Sequence, residues 1–320
     1  MPVPPARPAP GRLARSPQLA AALASRLTAR DRWLLRMLHE HRVLTTGQVT
    51  ALAFGTSRAA TARLRALWQL RAIDRFRPLT ATGSAPLHFI LDDAGAAVLA
   101  AEDSITPAAL GYRRDRALAI ALSLQLAHTT GTNGVFCALA AAGRAGTGTL
   151  SCWWSERRCA ALWGDLARPD GYGQWTQNTP AGPVTADFFL EYDTGTENLA
   201  RVTAKLTGYH DLAARTGIRT PVLFWLPAPA RETALRDLLA STRQAQGTPA
   251  FPIATTTPQA AGEAGPAGPA WLPAGQPGPR QPLAQLAPAT PPAPAPSGGD
   301  AARAPAGLPW HPPVPLPPAR

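Results

Sequence analysis

Lysine is almost missing from this chain. Of 31 basic side chains in 320 residues, thirty are arginine and one, Lys205, is lysine. Cysteine is scarce too. Cys137, Cys152 and Cys159 are odd in number and lack CxxC spacing, which argues against a disulfide framework and a structural zinc site and fits reduced thiols in a cytoplasm. No apolar run approaches the roughly 20 residues that a membrane span needs, so no membrane partner is expected. The stretch Leu19 to Leu27 is too short for a secretory core and is interrupted by Arg26. The six histidines are scattered and suggest no ligand set.

What is abundant is proline, and it is concentrated. Of 36 prolines, 21 lie in residues 247–320 and six in residues 1–17. Proline fixes φ and removes a backbone donor, and these segments show little charge or apolar periodicity. They read as a disordered basic N-terminus over 1–26 and a disordered Pro/Ala/Gly-rich tail over 246–320. Charge is concentrated as well. Residues 1–78 hold fourteen arginines against three acids, whereas residues 79–320 hold seventeen groups of each sign. The whole net charge of +11 therefore lies in the first quarter, which implies an anionic partner, nucleic acid or a membrane surface, and composition alone does not choose between them.

That basic quarter is patterned. Thr28 with Asp31 resembles a capping box, and Trp33, Leu34, Met37 and Leu38 repeat at helical spacing, predicting a helix near 29–41. Thr45 or Thr46 caps a second helix, and Gly55-Thr56-Ser57 leads into a third that buries Ala60, Leu64, Leu67 and Trp68. "RAIDRFRPL" and "LHFIL" then read as a hairpin. This is the order of a winged helix-turn-helix, placed at 27–105, whose third helix enters the major groove of double-stranded DNA. Arg58, Arg63, Arg65, Arg71, Arg75 and Arg77 are the candidate DNA contacts. A solvated face or a protein-docking surface is the bland alternative.

A connecting helix is predicted over 106–130 and a second domain over 131–245. Its elements run helix, three strands, helix, strand, an α/β arrangement. If the strands around "RPDGYGQW" and "VTADFFLEYD" pair antiparallel, Asp170 at the start of one meets Glu191 at the end of the next, with Asp193 close by. Adjacent carboxylates repel unless a cation or proton intervenes, and hard oxygen donors suit Mg²⁺ or Mn²⁺. Asp170, Glu191 and Asp193 are the candidate metal ligands. The following helix can return Lys205 towards them, and a compact ammonium approaches a phosphate oxygen or bound water where the wide guanidinium fork does so less well. Turn formation and helix capping would account for Asp170 and Asp193 without any chemistry.

Two resemblances follow from these residues. The α-β-β-β-α-β order, "PD" at Pro169-Asp170 and "FFLEYD" resemble the PD-(D/E)xK nuclease superfamily, with its restriction-endonuclease-like fold. The basic winged helix followed by "PDG…FFLEYDTGTENLARVTAKLTGY" is similar to the replication-relaxation proteins of plasmids and integrative elements, over about residues 27–240. The nuclease resemblance implies catalytic Asp170, Glu191 and Lys205, with the Tyr192 carbonyl as a further ligand. It also shows a departure: two residues beyond Glu191 stands Asp193, not the motif lysine, so Lys205 would act from the next helix. The second resemblance implies a DNA-binding protein of plasmid replication, relaxation or mobilisation, with replication or transfer proteins as further partners. The chain reads either as a metal-dependent nuclease, or as a non-catalytic accessory factor or transcriptional regulator.

Overall fold

The computed structural model describes residues 22–79, 83–247, 249–286 and 311–318. The expected N-terminal extension up to residue 21 and the tail residues 287–310 lie outside the described residues. The chain divides into two units, one ending at Leu122 and one running from Ser123 to Pro317.

In the first unit α1 spans Ala29–His41 and opens on the expected capping box, in which the Thr28 hydroxyl accepts the Asp31 N–H and the Asp31 carboxylate accepts the Thr28 N–H. A second capping box, Thr45 with Gln48, joins the two-residue strand β1 (Leu44–Thr45) to α2 (Thr46–Ala53). Helix α3 (Ser57–Gln69) buries Ala60, Leu64, Leu67 and Trp68, the stripe read from its spacing. Strands β2 (Ile73–Phe76) and β3 (His88–Leu91) pair antiparallel in a three-stranded sheet of order β1-β3-β2. Helices α4 (Asp93–Glu102) and α5 (Arg114–Ala119) follow. The fully buried Asp92 caps α4 and is paired with Arg114, which also reaches Asp74 on β2 at 2.9 Å. One guanidinium thus neutralises two acids and ties α5 to the hairpin.

The connecting helix expected over 106–130 is not continuous. Pro107 cannot extend a helix and Gly111 takes a left-handed φ of 74°, so the chain turns before α5 and starts afresh at Leu126.

The second unit is a six-stranded sheet of order β4-β5-β6-β7-β8-β9. Helix α6 (Leu126–Arg144) precedes β4 (Thr149–Ser155), α7 (Glu156–Trp163), β5 (Gly171–Thr179) and β6 (Gly182–Tyr192). Then come α8 (Leu199–Thr216), β7 (Val222–Trp225) and α9 (Pro229–Gln246). Strands β4, β5 and β6 pair antiparallel, while β6, β7 and β8 run parallel. Alternation along β6 splits its side chains between the two faces. Phe188 stacks on Phe136 of α6 at 5.7 Å, whereas Phe189 packs against Tyr209 of α8 at 5.4 Å.

The tail expectation fails for residues 253–286. Strand β8 (Ile253–Thr256) lies beside β7, the short helix α10 (Pro258–Ala261) follows, and β9 (Leu272–Pro273) closes the sheet. Phe251, Ile253, Trp271 and Leu283 are buried, and Arg280 forms an ion pair with Glu232 of α9 at 2.6 Å.

Candidate active site at the ends of the central strands

The register of two strands builds the site. Gly171 faces Leu190 across the β5–β6 ladder, so Asp170, one residue before, comes opposite Glu191. Asp170, Tyr172, Phe189 and Glu191 all point towards the face covered by α8, as the strand period requires. The chain leaves β6 through a polar turn, and α8 begins at Asn198, whose side chain accepts the Ala200 N–H. The helix runs back over the sheet and carries Lys205 to the acids.

The distances are short. Lys205 Nζ lies 2.6 Å from Glu191 Oε2 and 4.0 Å from Asp170 Oδ1. The Tyr209 hydroxyl, one helical turn beyond Lys205, donates to Glu191 Oε1 at 2.5 Å. Asp170 Oδ2 accepts the Tyr192 N–H at 2.7 Å, and Asp170 Oδ1 lies 3.1 Å from His128 Nε2. The His128 ring meets Tyr192 edge-on at 5.9 Å. His128, Asp170, Glu191, Tyr192 and Lys205 line a cavity of about 340 Å³ whose wall also includes Glu156, Thr194 and Glu197.

Burial sets the electrostatics. Glu191 is 2% exposed, and burial together with the charge of Asp170 pushes its carboxyl up to about 7 despite Lys205 and Tyr209. Burial works against a charged Lys205, but Glu191 and Asp170 outweigh it and hold the ammonium above its ordinary range. For His128, burial is likewise outweighed by the hydrogen bond and charge of Asp170, and its pKa is raised. Two carboxylates facing one ammonium leave surplus negative charge, which is the condition that draws in a proton or a cation.

Asp193, the third candidate ligand, is placed differently. Its Oδ1 accepts the Gly195 N–H at 2.7 Å and its Oδ2 pairs with Arg231 Nε at 2.6 Å. It closes the turn into α8 and anchors α9. His128 and Tyr209 were not read from the sequence. Tyr209 was discoverable, being four residues from Lys205 on one helical face. His128 depends on how α6 lies against the sheet, which no spacing reports.

The donor chemistry fits a hard divalent cation of modest protein ligation. Among the described residues no group of three or more His, Cys, Asp or Glu side chains is set to hold a metal ion. Mg²⁺ is commonly held by one or two carboxylates, with water and substrate phosphate completing its shell, and a carboxylate pair beside a polar cavity meets that requirement.

The six arginines of the first unit separate by environment. Arg58, Arg65 and Arg77 are exposed, with Arg77 hydrogen-bonded to Ser84 at 2.7 Å. The Arg75 guanidinium lies 4.0 Å over the Trp68 ring. Arg63 is engaged by the buried carboxylate of Asp31, and Arg71 lies 3.5 Å from Asp92.

Fold and site together define a two-unit α/β protein with an acid–lysine–tyrosine–histidine cluster, its acids buried, at the strand ends of its larger sheet. The chain belongs to the replication-relaxation family, which matches residues 35–223. Membership suggests a role in plasmid replication or relaxation. No curated protein and no solved structure matches the chain. No helix among the described residues is long and apolar enough to cross a membrane.

Proposed function

We propose that the first unit is a winged helix-turn-helix that docks on duplex DNA, and that Asp170, Glu191 and Lys205 form a PD-(D/E)xK-like site for cleaving phosphodiesters. The observation that carries this reading is the convergence of the two carboxylates on the Lys205 ammonium at the wall of one polar cavity. Asp170 and Glu191 would hold Mg²⁺ or Mn²⁺, which supplies charge neutralisation at the phosphate and a more acidic attacking water. Lys205, kept protonated by its acidic neighbours, serves as hydrogen-bond donor and countercharge to a phosphate oxygen. Tyr209 fixes the rotamer of Glu191, and the Tyr192 N–H with His128 fixes that of Asp170. On the DNA side, Arg58, Arg65, Arg75 and Arg77 have no acidic partner at hydrogen-bonding distance among the described residues and are suited to phosphate contacts. Arg63 and Arg71 serve the fold.

The test is incubation of supercoiled plasmid with Mg²⁺ or Mn²⁺. Wild-type protein is expected to nick or linearise it, while Glu191→Gln and Lys205→Ala proteins with normal melting curves leave it intact. Arg58→Glu with Arg65→Glu should weaken a salt-dependent gel shift about tenfold or more. Equal cleavage by the wild type and both site variants would overturn the catalytic assignment. One observation favours a non-catalytic accessory factor instead: the motif position two residues after Glu191 is an acid, and the one ammonium is already engaged by Glu191. A gel shift with no cleavage under any metal would support that reading.

A further inference from the structure

A second cavity, of about 720 Å³, opens between α8 and α9 on a face of α8 adjacent to the one that carries Lys205. Its size falls in the range of small-molecule sites, and its floor is apolar, built from buried Leu206, Leu239, Phe251 and Ile253. The rim is polar and of one sign. His210 is exposed and leans on the Phe251 ring at 5.0 Å, while Arg243 reaches in from the last turn of α9. Arg243 is exposed, and among the described residues no ion pair or hydrogen bond engages its guanidinium. Among the described residues no acid lines this cavity. The neighbouring cavity, by contrast, is walled by Asp170, Glu191, Asp193, Glu156 and Glu197.

One backbone position makes room for this cation. Gly275 adopts a φ of 78°, and a Cβ there would lie 2.2 Å from Arg243 Nη1. Any larger residue would push the guanidinium away. The bland role for Arg243 is to complement the helix C-terminus, which needs no such space.

We propose that this groove binds a nucleotide unit. The base lies on the apolar floor beside Phe251 and His210, the phosphate pairs with Arg243, and the Thr203 and Thr207 hydroxyls face the sugar. An apolar slot with an aromatic ring, hydroxyls and an unpaired guanidinium matches a planar base joined to an anion. The unit is either a free nucleotide or one residue of a DNA strand. The inference does not rest on cleavage by the acid cluster, and it is tested without metal.

The experiment measures binding of dTMP, by calorimetry, and of a fluorescein-labelled ten-residue oligothymidylate, by anisotropy, to the full chain in chelator. Saturable binding is expected, weakened about tenfold or more by Arg243→Glu and by Thr207→Trp, which fills the groove from an exposed helix position. Arg215→Ala removes one exposed charge from α8 outside the groove and should change affinity less than about twofold. Sensitivity of dTMP binding to these variants identifies a free-nucleotide site; sensitivity of the oligonucleotide alone identifies a strand site. Absence of binding by both probes, or binding that Arg243→Glu and Thr207→Trp leave unchanged, overturns the proposal. Plasmid cleavage that persists in these variants leaves the acid-cluster reading intact, so the two assignments fail separately.

Discussion

The single lysine of an arginine-biased chain stands where two carboxylates, Asp170 and Glu191, converge. A guanidinium there would need a wider opening than the gap that seats the ammonium 2.6 Å from Glu191. The same residues yield a pH prediction. Burial and Asp170 raise the Glu191 carboxyl from 4.5 to about 7, so between those values the folded chain holds a proton that the unfolded chain has released. Stability is therefore highest below about pH 4.5 as far as this group is concerned, falls as pH rises through the window, and levels off above about 7. His128, also raised, acts in the same sense. Urea unfolding of metal-free protein at about pH 5 and about pH 7.5 should differ by roughly 2–3 kcal/mol, with Glu191→Gln removing most of the difference. Wild-type stability that rises across this interval would contradict the assignment. Asp170, Glu191 and Lys205 were legible in the sequence because strand period and helix rise locate them. The contacts of Asp193 with Gly195 and Arg231 were not legible, since a spacing of two residues could not show that β6 had already ended in a turn.

Helices and strands were legible wherever a pattern repeats. The capping box at Thr28, the buried stripe of α3 and the β5–β6 hairpin all declare themselves through fixed offsets. Strand β8 does not. All four of its residues are buried and it pairs through β7 and β9, so it shows no alternation, and it follows a proline in proline-rich chain. Composition outweighed Ile253 and the three threonines after Ala254, although β-branched residues favour extended backbone. How α6 approaches the sheet was also hidden, and it depends on glycine. A Cβ at Gly131 would lie 2.2 Å from the Tyr192 ring. Gly131→Ala should therefore push apart the helix that carries His128 and the strand that carries Glu191. The expected cost is about 1–3 kcal/mol, measured by chemical denaturation, together with sharper loss of protection from hydrogen exchange at the Tyr192 amide than in distant β4. Unchanged stability would show that the ring can swing aside.

At the level of the whole chain, charge and sheet are partitioned between the two units. Nearly all of the net positive charge lies in the first, and the second, close to neutral, carries both cavities. The second unit also extends further towards the C-terminus than its proline content implies. Ending the chain at Ala250 removes β8, β9 and the partner of Glu232, leaving Val222 to Trp225 as a bare apolar edge. Such an edge pairs with other chains, so this truncation should aggregate or lose its cooperative melt. A chain ending at Leu286 retains all six strands and should melt cooperatively. Equivalent behaviour of the two truncations would show that β8 adds nothing to the sheet. One consequence concerns motion. Glu191 gives one oxygen to Lys205 and the other to Tyr209, a turn apart on the same helix. The acid thereby keys α8 to the sheet at two teeth: a slide of one residue would disengage both together. Whatever settles in the groove between α8 and α9 leans on that same helix, so its arrival would be felt at the acids as a tug on the key.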